Sequence, residues 1–172
     1  MLVRDREALH ARLLELAATT VAEHGVHALS LREIARQAGV SHAAPVHHFG
    51  SREGLLTELA AGGFEALSRA LDETPGDIYD KGVAYVKWGT SNPGLYNVMW
   101  QTELLDLAHP RLSSARKSAW AHLATGENEP ERTDALAAFA LVHGIVHLAL
   151  SNTQPALPHD DAALRNLLSR LS

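Results

Sequence analysis

Two short helical segments separated by a three-residue turn constrain the fold of this chain more than any other feature. Leu31 to Ala38 has apolar residues at helical spacing and is followed by Gly39, a residue type common just after helix ends. A second segment, His42 to Phe49, follows Ser41, a residue type common at helix N-termini. Because the turn is too short for a flexible linker, the two helices should cross at a sharp angle, which is the pattern of a helix-turn-helix.

The residues around this motif favour the same interpretation. Ser30-Leu31-Arg32-Glu33 has the spacing of a capping box, in which the Ser30 and Glu33 side chains each bond a backbone amide. An amphipathic helix is predicted over 7–24, before a glycine. In the second helix of the motif only Val46 and Phe49 are expected to reach a core. Its small first residues would let the backbone approach another surface closely.

Composition excludes several classes of protein. The chain has no cysteine in 172 residues, so it can form neither disulfides nor thiolate metal sites. It shows neither a membrane span nor the apolar core of a signal peptide, so we expect a cytoplasmic protein without a membrane partner. The net charge is −5, and residues 1–60 contain six arginines against seven acidic residues. A nucleic-acid partner must therefore be argued from the motif and not from charge.

The rest of the chain is also predicted to be helical. Apolar periodicity and prolines at helix starts predict helices over 51–71, 77–91, 93–106, 110–125, 131–151 and 160–171, with loops over 126–130 and 153–160 and Asp160 as a helix cap. We therefore expect an all-α fold of about nine helices. A helix-turn-helix DNA-binding domain would occupy 1–50, and a helical ligand-binding and dimerisation domain would occupy 51–172, with helix 51–72 linking the two.

The helix predicted over 131–151 is apolar on nearly all sides, so both of its faces should be covered. In a chain this small we expect a second copy to supply part of the cover, through a four-helix bundle that includes 160–171. The residues predicted at this homodimer interface are Ala138, Val142, Ile145, Val146, Leu164 and Leu168.

Aromatic side chains concentrate in the C-terminal part. They suit an ordinary core, but Trp and Tyr also suit a pocket for an apolar or aromatic ligand. His143 and His147 lie four residues apart, a spacing that could also hold a metal. Since only guesses (His122, Asp106) are available for a third ligand, no metal and no cofactor are predicted. The pocket candidates are Tyr85, Trp88, Tyr96, Met99, Trp100, Trp120, Phe139, His143 and His147.

The run from Leu31 to Leu56, LREIARQAGVSHAAPVHHFGSREGLL, resembles the DNA-binding signature of the tetracycline-repressor (TetR) family. The turn, the His-Phe pair and the following Ser-Arg-Glu fall in register with it. The sequence departs from the family pattern at Val46, where an aromatic residue is usual, and at Pro45, where leucine is usual. The resemblance implies contacts with duplex DNA by Arg32, Ser41, His42, Ala43, Ala44, His47, His48 and Arg52.

Together these features predict a homodimeric DNA-binding transcriptional repressor and not an enzyme. Two-fold symmetry implies a palindromic operator with half-sites about 34–36 Å apart, or a multiple of a helical turn. The resemblance implies that a small apolar or aromatic effector releases the repressor from double-stranded DNA. The histidines of the second helix could add positive charge in mild acid. The alternatives are a ligand-independent DNA-binding regulator or activator and, less favoured, a helical His-metal enzyme.

Overall fold

The structure is a computed structural model that describes residues 2–122, 129–151 and 160–170. These residues form nine α-helices and two short 3-10 turns (Val26–Ala28 and Thr102–Leu104), without a β-strand in the described ranges, so the predicted all-α fold is confirmed. The helices are α1 Leu2–His24, α2 Leu31–Ala38, α3 Ala43–Phe49, α4 Arg52–Asp72, α5 Ile78–Ser91, α6 Pro93–Trp100, α7 Pro110–Ala121, α8 Glu129–Leu150 and α9 Asp161–Ser169.

The first helix begins five residues earlier than predicted, at Leu2, and ends as predicted before Gly25. Its buried face is formed by Leu13, Ala17 and Val21, which recur at helical spacing. Gly25 has a φ of 78°, a backbone conformation that glycine adopts without strain. The chain can therefore leave α1 abruptly and return toward α2, which packs against α1.

The fourth helix carries the apolar face predicted for it, and all six of its members are buried: Leu55, Leu56, Leu59, Phe64, Leu67 and Leu71. Its two central glycines have different surroundings. A Cβ built on Gly63 would lie 2.6 Å from Sδ of Met99, so α6 packs closely on α4 at this point. A Cβ built on Gly62 would meet nothing within 4 Å. Close packing therefore explains Gly63 but not Gly62.

The chain divides into two compact units, and the division differs from the predicted boundary at residue 50. The first unit comprises 1–63 and 94–114, and the second comprises 64–93 and 115–172. The difference arises because the segment 94–114 packs on the N-terminal helices. A Cβ on Gly94 would lie 2.6 Å from Cα of Ala22, and the Thr57 hydroxyl accepts a 3.0 Å hydrogen bond from the backbone N–H of Asp106.

In the second unit α5 packs against both α8 and α9. Asp77 caps α5 in a capping box with Asp80, a signature that the sequence analysis missed although the two residues have the required spacing. The Arg165 guanidinium of α9 donates to both carboxylates, with 2.8 Å between Arg165 Nη1 and Asp77 Oδ1. Asp160 caps α9 as predicted, since its side chain accepts from the Ala163 N–H at 2.7 Å.

The residues predicted at the homodimer interface are mostly core residues of a single chain, so they are not available to a second copy. Val142, Ile145, Val146, Leu164 and Leu168 are each 5% exposed or less, and Ala138 is half-buried. The neighbouring helix α5 supplies the cover that a second copy was expected to give: a Cβ on Gly82 would lie 2.8 Å from Cδ1 of Leu168.

Smaller differences concern helix ends. The helix predicted over 93–106 ends at Trp100 and is followed by a 3-10 turn. The helix predicted over 110–125 ends at Ala121 within the described residues. Most of the two predicted loops, at 126–130 and 153–160, lies outside the residues that the structure describes. Among the helices of the described ranges, none combines the length and the apolar character needed to cross a membrane.

The two kinds of glycine environment predict opposite effects of alanine. Gly94→Ala should lower the free energy of unfolding by about 1–3 kcal/mol, because the new methyl group meets backbone atoms that cannot move aside easily. Gly62→Ala, in an open position of α4, should raise it by up to about 1 kcal/mol through helix propensity. Urea denaturation of both variants measures the difference. Equal destabilisation by the two substitutions would contradict this account of packing between α1 and α6.

Candidate nucleic-acid interface and ligand groove

A left-handed glycine forms the turn between α2 and α3. Gly39 has φ 70° and ψ 30°, and its N–H bonds to the carbonyl of Arg36. The next residue, Val40, donates to the carbonyl of Ala35, so the last turn of α2 is closed by the chain that leaves it. This arrangement redirects the chain within the four residues 39–42, one more than the predicted turn, and forms the predicted helix-turn-helix.

The third helix has a buried edge and an exposed edge. Pro45 and Phe49 are buried, and the Phe49 ring lies 4.8 Å from the ring of His10 on α1. Val46, which was expected in the core, is 47% exposed, so that expectation is wrong. The reason is helical geometry: once Pro45 and Phe49, four residues apart, face inward, Val46 is rotated away from them. The predicted DNA-facing residues Ser41, His42, Ala43 and His47 are exposed, and Ala44 is half-buried.

Two arginines on α2 differ in the availability of their charge. Arg32 is exposed, and within the described part of the chain no carboxylate forms an ion pair with it. Arg36 donates from Nε to Glu33 at 2.9 Å. The hydrogen bonds from Arg36 and Gln37 lower the pKa of Glu33 to about 2, so this carboxylate stays charged and neutralises Arg36. Arg32 is therefore the cation that α2 can offer to an anionic partner.

The second unit contains a groove with a volume of about 700 Å³ between the end of α4, α5 and the start of α9. Of the nine predicted pocket residues, Trp88 lines it. The basic groups of the groove are already paired: Lys87 lies 2.9 Å from Asp161, and Arg165 binds the Asp77–Asp80 box. The groove therefore offers an apolar and aromatic wall bordered by paired basic groups and by the Glu73 carboxylate.

The other pocket candidates fall into two separate groups. In the second unit the ring centroid of Phe139 lies 6.3 Å from that of Tyr85, 5.6 Å from that of Trp120 and 5.2 Å from that of His143, while His147 is exposed. In the first unit Tyr96 and Trp100 have ring centroids 6.1 Å apart, and Met99 is buried. The prediction of one shared pocket therefore combined residues that the structure assigns to different units.

The histidine pair on α8 is not arranged as a metal site in the described residues. Nδ1 of His143 lies 3.4 Å from the Tyr85 hydroxyl, and burial, followed by the nearby His147, lowers the pKa of His143. His122, one of the guesses for a third ligand, lies 3.6 Å from Asp72. No group of three or more His, Asp or Glu residues in the described ranges is placed to hold a metal ion.

Comparison with known proteins assigns the two parts of the chain. Residues 13–59 match the family model described as bacterial regulatory proteins of the tetR family. Residues 79–171, more than half of the chain, match the model of a tetracyclin repressor-like C-terminal domain. The chain belongs to the tetracycline-repressor family. The resemblance found in the sequence is thereby confirmed.

Relatives within this TetR family are similar over limited stretches. Rv1816 of Mycobacterium tuberculosis, an HTH-type transcriptional regulator, is 31% identical over 104 residues, which cover 55% of this chain and 44% of Rv1816. KstR2 of the same species, an HTH-type transcriptional repressor, is 46% identical over 50 residues, 29% of this chain and 25% of KstR2. The matches thus span less than half the length of these curated relatives. A solved protein of unknown function from Rhodococcus sp. RHA1 is 31% identical, with a TM-score of 0.77 and coverage of 95% of this chain and 93% of that one.

Arg52, which the TetR resemblance implied as a DNA contact, is used inside the structure. Its Nε donates to the carbonyl of Leu29 at 3.0 Å and its Nη2 to the carbonyl of Val26 at 2.7 Å. The two carbonyls belong to the first residue and the C-cap of the 3-10 turn before α2, and that of Val26 also accepts from the Leu29 N–H. Arg52 therefore fixes the approach to the helix-turn-helix, and the prediction that it contacts DNA is corrected.

The two predicted caps of the helix-turn-helix are also corrected. Ser30 occupies the N-cap position of α2 but makes no side-chain cap bond. The Glu33 carboxylate, which was expected to bond the Ser30 backbone N–H, is held by Arg36 and Gln37 instead. A charged guanidinium is a stronger partner for a carboxylate than a backbone amide. At α3 the N-cap is His42 instead of Ser41, and it has helical dihedral angles without a side-chain bond.

His48 is less exposed than His42 and His47, the other two histidines at α3. It is half-buried beside His10 and Phe49, with ring centroids 5.6 and 6.0 Å away. Burial, together with the nearby His10, Arg6 and His47, lowers the pKa of His48 below its ordinary value. His48 therefore stays neutral where an ordinary histidine begins to take up a proton. The lowered pKa disfavours the charged form of His48, whose ring packs against α1.

Proposed function

We propose that this TetR-family chain is a transcriptional repressor that binds double-stranded DNA through α2 and α3. The observation that carries the proposal is the exposed edge of α3, which presents His42, Ala43, Val46 and His47 while Pro45 and Phe49 hold the opposite edge in the core. A helix anchored on one side and bare on the other matches the docking of a recognition helix in the major groove. In this proposal the protein acts in the cytoplasm, where bacterial DNA lies.

The charge pattern around α3 suits contacts with both phosphates and bases. Arg32 supplies a guanidinium that has no carboxylate partner among the described residues, whereas Arg36 and Arg52 are engaged within the chain. Arginine binds guanine through two hydrogen bonds or a phosphate through its charge. With few cations available, sequence recognition should depend on shape and apolar contacts as well as on charge.

Arg32 and Arg36 provide a matched pair of variants for testing DNA binding. An operator is first selected from fragments of the source genome with the full chain. Arg32→Gln should weaken binding to that operator by about 1–3 kcal/mol, since it removes a free guanidinium. Arg36→Gln, one helical turn away, should change it by less than about 0.5 kcal/mol, because Arg36 is paired with Glu33. Fluorescence anisotropy measures both affinities. Equal losses, or failure to select any sequence, would contradict the proposed interface.

We further propose that the repressor is a homodimer formed through the exposed face of α8. This face consists of the apolar residues Leu136, Ala137, Ala140, Gly144 and Leu148, and it includes His147. Leu136 is 57% exposed and Leu148 is 41% exposed, and a Cβ on Gly144 would meet nothing within 4 Å. Apolar residues extending along three turns of one helix face are typical of a surface covered by another subunit. A two-fold dimer would explain a palindromic operator.

A charge introduced on this face tests the dimer. Leu148→Glu should convert the dimer to a monomer at micromolar concentration, because it places a carboxylate in an apolar interface. The control is Leu107→Glu, since Leu107 is 43% exposed but lies in the segment before α7. Light scattering after size-exclusion chromatography gives the mass of each variant. A wild-type monomer, or a dimer that Leu148→Glu leaves intact, would refute this interface.

The groove of the second unit is our proposed effector site. Trp88, Val83 and Ala84 give it an aromatic and aliphatic wall, which suits a small apolar or aromatic molecule. A ligand that binds the DNA-free conformation more tightly would release the operator, with a coupling free energy of typically about 1–3 kcal/mol.

Two tryptophans of the same unit test the effector site. The neutral fluorescent probe N-phenyl-1-naphthylamine should bind the wild type, and Trp88→Leu should weaken that binding at least about fivefold through loss of aromatic contact area. Trp120→Leu should leave it unchanged, because Trp120 is exposed outside the groove. A fluorescence titration, with circular dichroism to verify folding, provides the comparison. Equal binding by all three proteins would show that the groove is not the site.

A further inference from the structure

Val46 is an exposed aliphatic residue in the middle of the proposed recognition helix. Val46 is 47% exposed. Its neighbours along the chain differ, since Pro45 is buried and His47 is exposed. Packing therefore does not account for a valine here, and β-branched residues are not favoured in helices for their propensity. The reason for a valine at this position must therefore lie in the partner that α3 binds.

The neighbours of Val46 on the exposed edge define what the side chain can meet. Ala43 lies one turn before it, and residues three apart on a helix have Cβ atoms about 5–6 Å apart. Successive base pairs of B-DNA are separated by about 3.4 Å. In a major groove, Ala43 and Val46 would therefore lie close enough to reach the same short run of base pairs.

We propose that Val46 determines specificity by packing against the C5-methyl group of a thymine in the major groove. This inference rests on the proposed function, DNA binding by α3. An isopropyl group can neither donate nor accept a hydrogen bond, so it gains nothing from a phosphate or from the polar edge of a base. The thymine methyl is the apolar group that the major groove presents to it, and cytosine, guanine and adenine have none there.

Removing only the methyl group of the DNA tests the contact directly. In the selected operator each thymine of one half-site is replaced in turn by deoxyuridine, which keeps base pairing and hydrogen-bonding groups but lacks the methyl. The wild type should bind about fourfold more weakly at one position, as expected for exposing one methyl-sized group. Val46→Ala should lose this discrimination at that position and bind the two operators equally. Val46→Thr, which keeps one methyl group and the branched shape, should retain part of it.

Leu107→Ala is the control, since Leu107 is a similarly exposed aliphatic side chain outside α3, and it should discriminate thymine from uracil as the wild type does. The inference is overturned if Val46→Ala weakens binding to the thymine and uracil operators by the same factor at every position, which would place Val46 against the sugar-phosphate backbone. It is also overturned if the wild type binds every deoxyuridine operator as tightly as the original. In either case selective binding of the operator would persist, so the proposed function would stand; it fails only if the wild type selects no DNA sequence.

Discussion

The packing of Phe49 and Pro45 beneath α3 is the constraint on which the proposed interface depends. A helix of seven residues is too short to be stable in water by itself, so its position must come from tertiary contacts. Phe49 reaches α1 through His10, and Gly39 supplies the left-handed turn that brings α3 back against α2. Because both inward residues lie on one edge, the opposite edge is available to a partner. Anchoring and recognition thus use different sides of the same short helix.

The Arg52 side chain extends this constraint to the rest of the first unit. It connects the first turn of α4 to the carbonyls of Val26 and Leu29, just before α2. The same helix α4 continues into the second unit, and its last turn lines the groove. The chain passes between the units at two further points. One is after Pro93, just beyond α5, which lines the groove, and the other is within α7. In the proposed mechanism, an effector in the groove would act on the DNA-binding unit through these continuous stretches of backbone.

The sequence predicted those parts of the structure that depend on local patterns. Periodic apolar residues located the helices, Gly39 located the turn, and Asp160 was identified as a cap because the backbone N–H that it accepts from lies three residues away. The sequence did not predict contacts whose partner is distant along the chain. Nothing near Arg52 indicates acceptors more than twenty residues earlier. A second failure is local, because Arg36, one turn along α2, holds the Glu33 carboxylate that was expected to bond the Ser30 backbone N–H. The apolar side chains of α8 must be buried on several sides of the helix. Its sequence does not show that α5, from the same chain, packs against the side assigned to a second copy.

The most direct test of the account is a dimethyl sulfate footprint of the selected operator bound to the full chain, since this reagent methylates guanine N7 in the major groove and adenine N3 in the minor groove. The account predicts protection of guanine N7 in two short segments whose centres are about one helical turn apart, with adenine N3 left reactive between them. Protection confined to adenine N3, or a single protected segment, would show that the exposed edge of α3 does not enter the major groove of a palindromic site.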